Sequence, residues 1–141
     1  MAEPEGFYTM KGYLRLAEGA LTSAMEDYLE MIARIERAGG QARVNDLSGR
    51  LHVKASSVTK MVRQLDEAGL VHAPKYGEIA LTEKGRAIGD YLLHRHAVLH
   101  RFLCLLNHTD NELEQVEKIE HFIQERTVNN LELLIKQIWS G

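Results

Sequence analysis

Cysteine is nearly missing from this chain: Cys104 stands alone among 141 residues, which excludes an intrachain disulfide framework and suits a reducing compartment. Proline is almost as scarce, with only two in the chain, so little interrupts helices. No apolar run is long enough to cross a membrane. The first 22 residues mix Glu3, Glu5, Lys11, Arg15 and Glu18 with scattered apolar residues and lack the continuous core of a secretory signal. A cytoplasmic protein with no membrane partner is expected. Charge of one sign is also lacking overall, the formal net charge being −3, but the charges are segregated. Arg43 to Arg86 holds eight Lys/Arg against five Asp/Glu, whereas Asp110 to Glu132 holds two against seven. One section is suited to phosphates and another to cations, although solvated faces carry similar bias.

What is present is helical spacing. Ser23-Ala-Met-Glu26 matches a capping box, and Met25, Tyr28, Leu29, Ile32 and Ile35 follow at intervals of three and four, up to Gly39-Gly40. Further helices are expected over Val44 to Leu51 and Ala55 to Ala68, closed by Gly69. Short β-type segments around Lys75-Tyr76-Gly77, with Ile79 and Leu81 alternating, suggest a hairpin. Thr82 then caps a long helix reaching about Leu105, and two more are expected over Asn111 to Arg126 and Val128 to Trp139. The expected fold is mainly α: a winged helix-turn-helix DNA-binding domain over residues 22–88 and a helical dimerisation and metal-binding domain over 89–141. Residues 1–21 form an N-terminal extension, with a short helix at Met10 to Glu18 or a loose arm.

The order of two short helices, a longer polar-faced helix and a Gly-tipped hairpin is that of a winged helix-turn-helix. Ser56, Ser57, Thr59, Lys60, Arg63 and Gln64 lie opposite the apolar stripe of the third helix, where they can reach base edges and phosphates. Lys54, Lys75 and Arg50 are expected to meet the DNA backbone. A solvated bundle face would show the same polar stripe, but leaves the hairpin and the following Leu81-Thr-Glu-Lys-Gly85 without a reason.

A second constellation is acidic. Asp27 and Glu30 share one helix face, as do Glu117, Glu120 and His121 at i, i+3, i+4; His96 lies between the two groups in sequence. Glu120-His121 falls among Val116, Ile119, Phe122 and Ile123, where unpartnered charge is costly and a cation removes the cost. Four carboxylates and two imidazoles suit a borderline-to-hard divalent ion, and the missing thiolates argue against a structural zinc site. His96, His100 and Cys104, at i, i+4, i+8, form a weaker zinc alternative. A helical di-iron enzyme would require Glu-x-x-His, which the Glu117 to His121 group does not supply, so no enzyme is expected. A winged-helix repressor governed by a small organic ligand remains the rival.

Met25-Glu-Asp-Tyr-Leu-Glu30, Ala55-Ser-Ser-Val-Thr-Lys-Met-Val62, Leu81-Thr-Glu-Lys-Gly85, Arg95-His96 and Val116-Glu-Lys-Ile-Glu-His121 together resemble the diphtheria toxin repressor family, and within it the manganese-responsive branch, over residues 22–139. The resemblance implies a homodimer on palindromic double-stranded operator DNA that represses metal-uptake genes. It makes Asp27, Glu30, His96, Glu117, Glu120 and His121 the ligands of a binuclear site, two Mn2+ per protomer, with Fe2+ or Zn2+ as alternatives. Oxygen donors at Asp27 and Glu117, where the iron branch carries sulfur, imply manganese. His100 stands where the family usually has a carboxylate, and the chain is too short for the third, SH3-like domain of the iron branch.

Overall fold

A computed structural model of the chain describes residues 21–75 and 77–139. The N-terminal extension, apart from Leu21, and the helix considered at Met10 to Glu18 lie outside the described residues.

Helix α1 (Ser23–Arg37) buries Tyr28, Leu29, Ile32, Ala33 and Ile35 along one stripe. Its cap is Thr22, one residue before the Ser23 expected from the capping-box pattern: Thr22 Oγ1 accepts from Met25 N at 3.1 Å. Threonine caps nearly as well as serine, and the shift frees Glu26 from capping duty. Helices α2 (Val44–Leu51) and α3 (Ala55–Glu67) follow, burying Leu47 and then Val58, Val62 and Leu65 in the main core. Gly69, at φ +76°, supplies the left-handed residue that ends α3.

The wing is a minimal antiparallel hairpin, β1 (Val71–His72) with β2 (Ala80–Leu81), paired Val71 to Leu81 and His72 to Ala80. Lys75 and Gly77 belong to the connecting loop rather than to strands. Thr82 caps α4 (Glu83–Asn107) by accepting from Gly85 N at 3.1 Å, and its hydroxyl donates to Gly69 O at 2.7 Å. The Leu81-Thr-Glu-Lys-Gly85 pattern is thereby explained: a Cβ at Gly85 would overlap the Leu70 carbonyl, so only glycine lets the helix start pack on the strand's entrance. At Gly89 the added Cβ would meet Ala33 Cβ at 2.8 Å, so α1 and α4 touch there at backbone range.

The expected helix over Asn111 to Arg126 is broken. Helix α5 ends early (Leu113–Ile119), a 3-10 turn takes over (Glu120–Phe122), Ile123 is extended, and α6 (Glu125–Ile138) begins. The break lets α6 reverse against α4, where Val128 and Ile135 join Val98 in a second, small core, with Phe102 edge-on to Trp139 at 6.0 Å. The main core draws on everything from Tyr28 to Leu93. One continuous helix, α4, therefore belongs to both cores, and the division expected at residues 88 and 89 falls inside it.

Around the second core, Leu106, Leu113, Phe122, Leu133, Leu134 and Ile138 are exposed. That is much apolar surface for so small a half, and such patches usually mark an interface. Among the described residues no helix is long and apolar enough to cross a membrane.

Candidate metal centre

Three elements bring acidic and imidazole groups together beside the meeting of α1 and α4. Helix α1 contributes Glu26, Asp27 and Glu30, the middle of α4 contributes Arg95 and His96, and the 3-10 turn contributes Glu120 and His121. The turn matters because it points Glu120 inward, leaving it 2% exposed.

Donor atoms of Glu30, His96 and Glu120 all lie within 4.8 Å of one another. His96 Nδ1 is 3.4 Å from Glu120 Oε2 and 3.8 Å from Glu30 Oε2. Beside them, His121 is held at both nitrogens, Nε2 to Asp27 Oδ1 at 3.0 Å and Nδ1 to Glu26 Oε1 at 2.9 Å. Arg95, buried at 3% exposure, donates from Nη2 to Glu26 Oε1 at 3.2 Å and approaches Glu120 Oε1 at 3.7 Å. Arg34 donates to Glu30 from the solvent side at 3.1 Å.

Burial, followed by the hydrogen bond to Glu120 and its charge, pushes the Glu30 carboxyl up to about 7. Burial alone would raise Glu120 as well, but hydrogen bonds from His96 and Glu30 hold it below the ordinary carboxylate value. The two carboxyls thus share a proton that resides on Glu30, as a close buried pair requires. The hydrogen bond to Glu120 raises His96 against its burial. Hydrogen bonds to Asp27 and then Glu26 push His121 up to about 9.

These shifts predict a pH dependence. Glu30, His96 and His121 all have folded values above their unfolded ones, so each contributes stability that is complete below its unfolded value and is lost as pH rises through its folded value. Between pH 6 and pH 9 the metal-free protein is therefore expected to lose stability, on the order of 2 kcal/mol. Denaturant unfolding in chelator at the two pH values checks this; equal or greater stability at pH 9 would contradict the arrangement.

The cluster is incompletely satisfied: Glu120 Oε1, an acceptor that a cation would engage, is buried with no hydrogen-bond partner, as is the Arg95 Nε donor, a cost of about 1–3 kcal/mol each. Carboxylate oxygens and imidazoles suit a divalent ion that is hard or borderline, and the orphaned, inward-facing Glu120 oxygen fits such a group.

Of the six ligands expected from the sequence, the structure gathers Glu30, His96 and Glu120 and sets Asp27 against His121. Glu117 is exposed, and among the described residues it is not part of the gathered group. His100 is engaged elsewhere, accepting from Glu112 N at 3.2 Å, with Cys104 Sγ 3.7 Å from its Nε2. Sequence reasoning missed Glu26 and Arg95. Arg95 carried a legible signal, since it falls between the buried Leu92 and Leu99 on one stripe of α4; Glu26 was hidden by its match to a cap.

Ser56, Ser57, Thr59, Lys60, Arg63 and Gln64 are exposed along α3, and Arg50 and Lys54 are exposed just before it in the chain. Thr59 Oγ1 donates back to Ala55 O at 3.1 Å. A groove between α3 and the wing is lined by Arg43, Arg63 and Lys75 together with Asp66 and Glu67, giving a concave edge of mixed charge with one cation in excess beside α3.

The fold and these two faces define a winged-helix DNA-binding regulator with a helical metal-binding half. Residues 20–79 match the N-terminal DNA-binding domain of iron dependent repressors, and residues 82–138 match their metal binding and dimerisation domain. The HTH-type transcriptional regulator MntR of Geobacillus kaustophilus (strain HTA426) is 39% identical over 116 residues, covering 82% of each chain. Among solved structures, the manganese regulator SloR superposes with a TM-score of 0.70 at 28% identity, over 79% of this chain and 53% of that one. A hypothetical protein from Sulfolobus solfataricus superposes with a TM-score of 0.62 at 26% identity, over 83% and 91%. This chain spans about half the length of the SloR chain. It belongs to the iron-dependent repressor family. It is therefore a metal-dependent transcriptional repressor that binds operator DNA as a dimer, and not an enzyme.

Proposed function

We propose that the chain represses in response to Mn2+, with Asp27, Glu30, His96, Glu117, Glu120 and His121 as ligands and two ions per protomer. The observation that carries this reading is the meeting of oxygen and imidazole donors from α1 with those of α4 and the 3-10 turn. Two adjacent donor groups, Glu30 with His96 and Glu120, and Asp27 with His121, support two ions. Glu117, exposed on α5 and outside the gathered group, enters through the family resemblance alone. Manganese enters through the oxygen-rich donor set and the names of the relatives. Affinity order alone favours Zn2+ over Mn2+, so the preference rests on coordination number and geometry. When bound, the ion supplies positive charge that neutralises the clustered carboxylates.

The chain's own residues carry the rest. Asp27 and Glu30 belong to a helix of the main core, whereas Glu120 and His121 belong to the dimerisation half. Holding these donors together fixes α1 and the turn around α4. In a homodimer joined through Leu106, Leu133, Leu134 and Ile138, this fixes the separation of the two α3 helices, which must be about 34 Å or a multiple to enter successive major grooves. Ser56, Ser57, Thr59, Lys60 and Arg63 then face base edges and phosphates, with Lys54 and Lys75 on the backbone. A cytoplasmic location and control of metal-uptake genes accompany this reading.

Calorimetric titration with Mn2+, followed by binding to DNA fragments selected from random sequence, tests it. Mn2+ is expected to tighten binding to a palindromic fragment by ~10- to 100-fold, a coupling of about 1–3 kcal/mol. Equal affinity in chelator would overturn it.

A further inference from the structure

The metal reading names ligands and leaves unexplained why Glu26, which is not one of them, is placed at the centre of the cluster. Glu26 Oε1 accepts from two donors, His121 Nδ1 at 2.9 Å and Arg95 Nη2 at 3.2 Å. Its side chain is only 17% exposed. Arg95 itself is nearly sealed, and the same Nη2 lies 3.7 Å from Glu120 Oε1. Glu26 is thus tied to a proposed ligand directly, and through Arg95 to a second one. The opposite nitrogen of His121, Nε2, faces Asp27, another proposed ligand, at 3.0 Å.

Metal-bound histidines usually donate their other ring N–H to a carboxylate, which fixes the tautomer and the ring plane. We infer that Glu26 is the positioning residue of this centre: its carboxylate, anchored by buried Arg95, takes the Nδ1–H of His121 and so presents Nε2 as the coordinating atom. This rests on the metal reading above and adds a residue pair to it. Arg95 has two parts to play. It holds Glu26 in place, and it supplies a fixed positive charge beside Glu120 that keeps the carboxylates compatible before an ion arrives.

Removing Glu26 alone strands a buried guanidinium, which is destabilising in its own right. The test therefore uses Glu26→Gln, which keeps an acceptor of the same shape, and the double variant Glu26→Leu/Arg95→Met, which removes both charges at similar volume. Mn2+ affinity is measured by calorimetry for wild type and both variants, after their metal-free folds are checked by circular dichroism. The double variant is expected to bind ~10- to 100-fold more weakly, and Glu26→Gln to recover part of the loss. The second readout is independent of affinity: 15N NMR of the Zn2+-loaded wild type should show His121 protonated at Nδ1 and metallated at Nε2. Wild-type affinity in a folded double variant, or metal on Nδ1, would overturn the inference while leaving the metal reading intact. A wild type that takes up no Mn2+ would overturn both.

Discussion

Glu120→Ala is expected to abolish metal-dependent DNA binding, lowering Mn2+ affinity by more than ~100-fold and leaving the fold in place. Glu120 is the most buried carboxylate of the cluster, it faces His96 and Arg95 at once, and one of its oxygens has no hydrogen-bond partner. Truncation leaves Arg95 paired with Glu26, so the folding cost stays near the 1–3 kcal/mol of a lost buried partner. Metal binding loses an oxygen donor that no neighbour replaces. Calorimetry with Mn2+ and operator binding with and without chelator measure the two effects separately. Glu114→Ala is the control: that carboxylate pairs with Lys118 in full solvent, and its loss should change neither quantity. If Glu120→Ala retains a wild-type metal response, the centre has been assigned to the wrong residues.

The second large effect concerns assembly. Leu133→Asp combined with Ile138→Asp is expected to convert the dimer to monomer at micromolar concentration. Both residues are more than half exposed in the isolated chain, at 55% and 61%. Burial of one such side chain is worth about 1.5–3 kcal/mol, and two-fold symmetry counts every substitution twice. Even half of the summed effect raises the dissociation constant by about 100-fold or more. Sedimentation velocity reads the state directly. Affinity for a palindromic operator should fall with it, while a half-site probe is bound as before. A persistent dimer would place the interface on another face.

Much of the architecture was readable from spacing because each signal was redundant. Helix α1 had both an apolar stripe and a glycine stop, α3 had a stripe and Gly69, and α4 had Thr82 and Gly85 at its start. Where the sequence offered only periodicity, it misled. Val116, Ile119 and Ile123 continue a helical pattern through a stretch that the backbone abandons at Ile119, because periodicity reports which side is apolar and is silent about whether hydrogen bonds persist. The consequence reached the site: Glu117 and Glu120, three apart and expected on one face, end in opposite environments, one exposed and one buried. Glu120 stood out because a carboxylate among apolar residues needs a partner, Glu30 through its helical spacing from Asp27, and His96 through the family resemblance. Arg95 obeyed the same rule and was overlooked, and Glu26 satisfied a local motif that tertiary pairing then overrode.

The single run of α4 through both cores has a mechanical side. Its contact with α1 at Gly89 is a fulcrum, since the Ala33 methyl group and the Leu29 carbonyl lie against the glycine there. Seven residues on, about 10 Å at helical rise, sits His96. Eighteen residues on, about 27 Å, sits Asn107, at the end of the rod. A displacement of about 1 Å at the donors therefore becomes roughly 2.5 Å at the far tip by simple proportion of these arms. The protein has, in its longest helix, a lever whose short arm is gripped by a handful of side chains and whose long arm ends beside the exposed apolar Leu106.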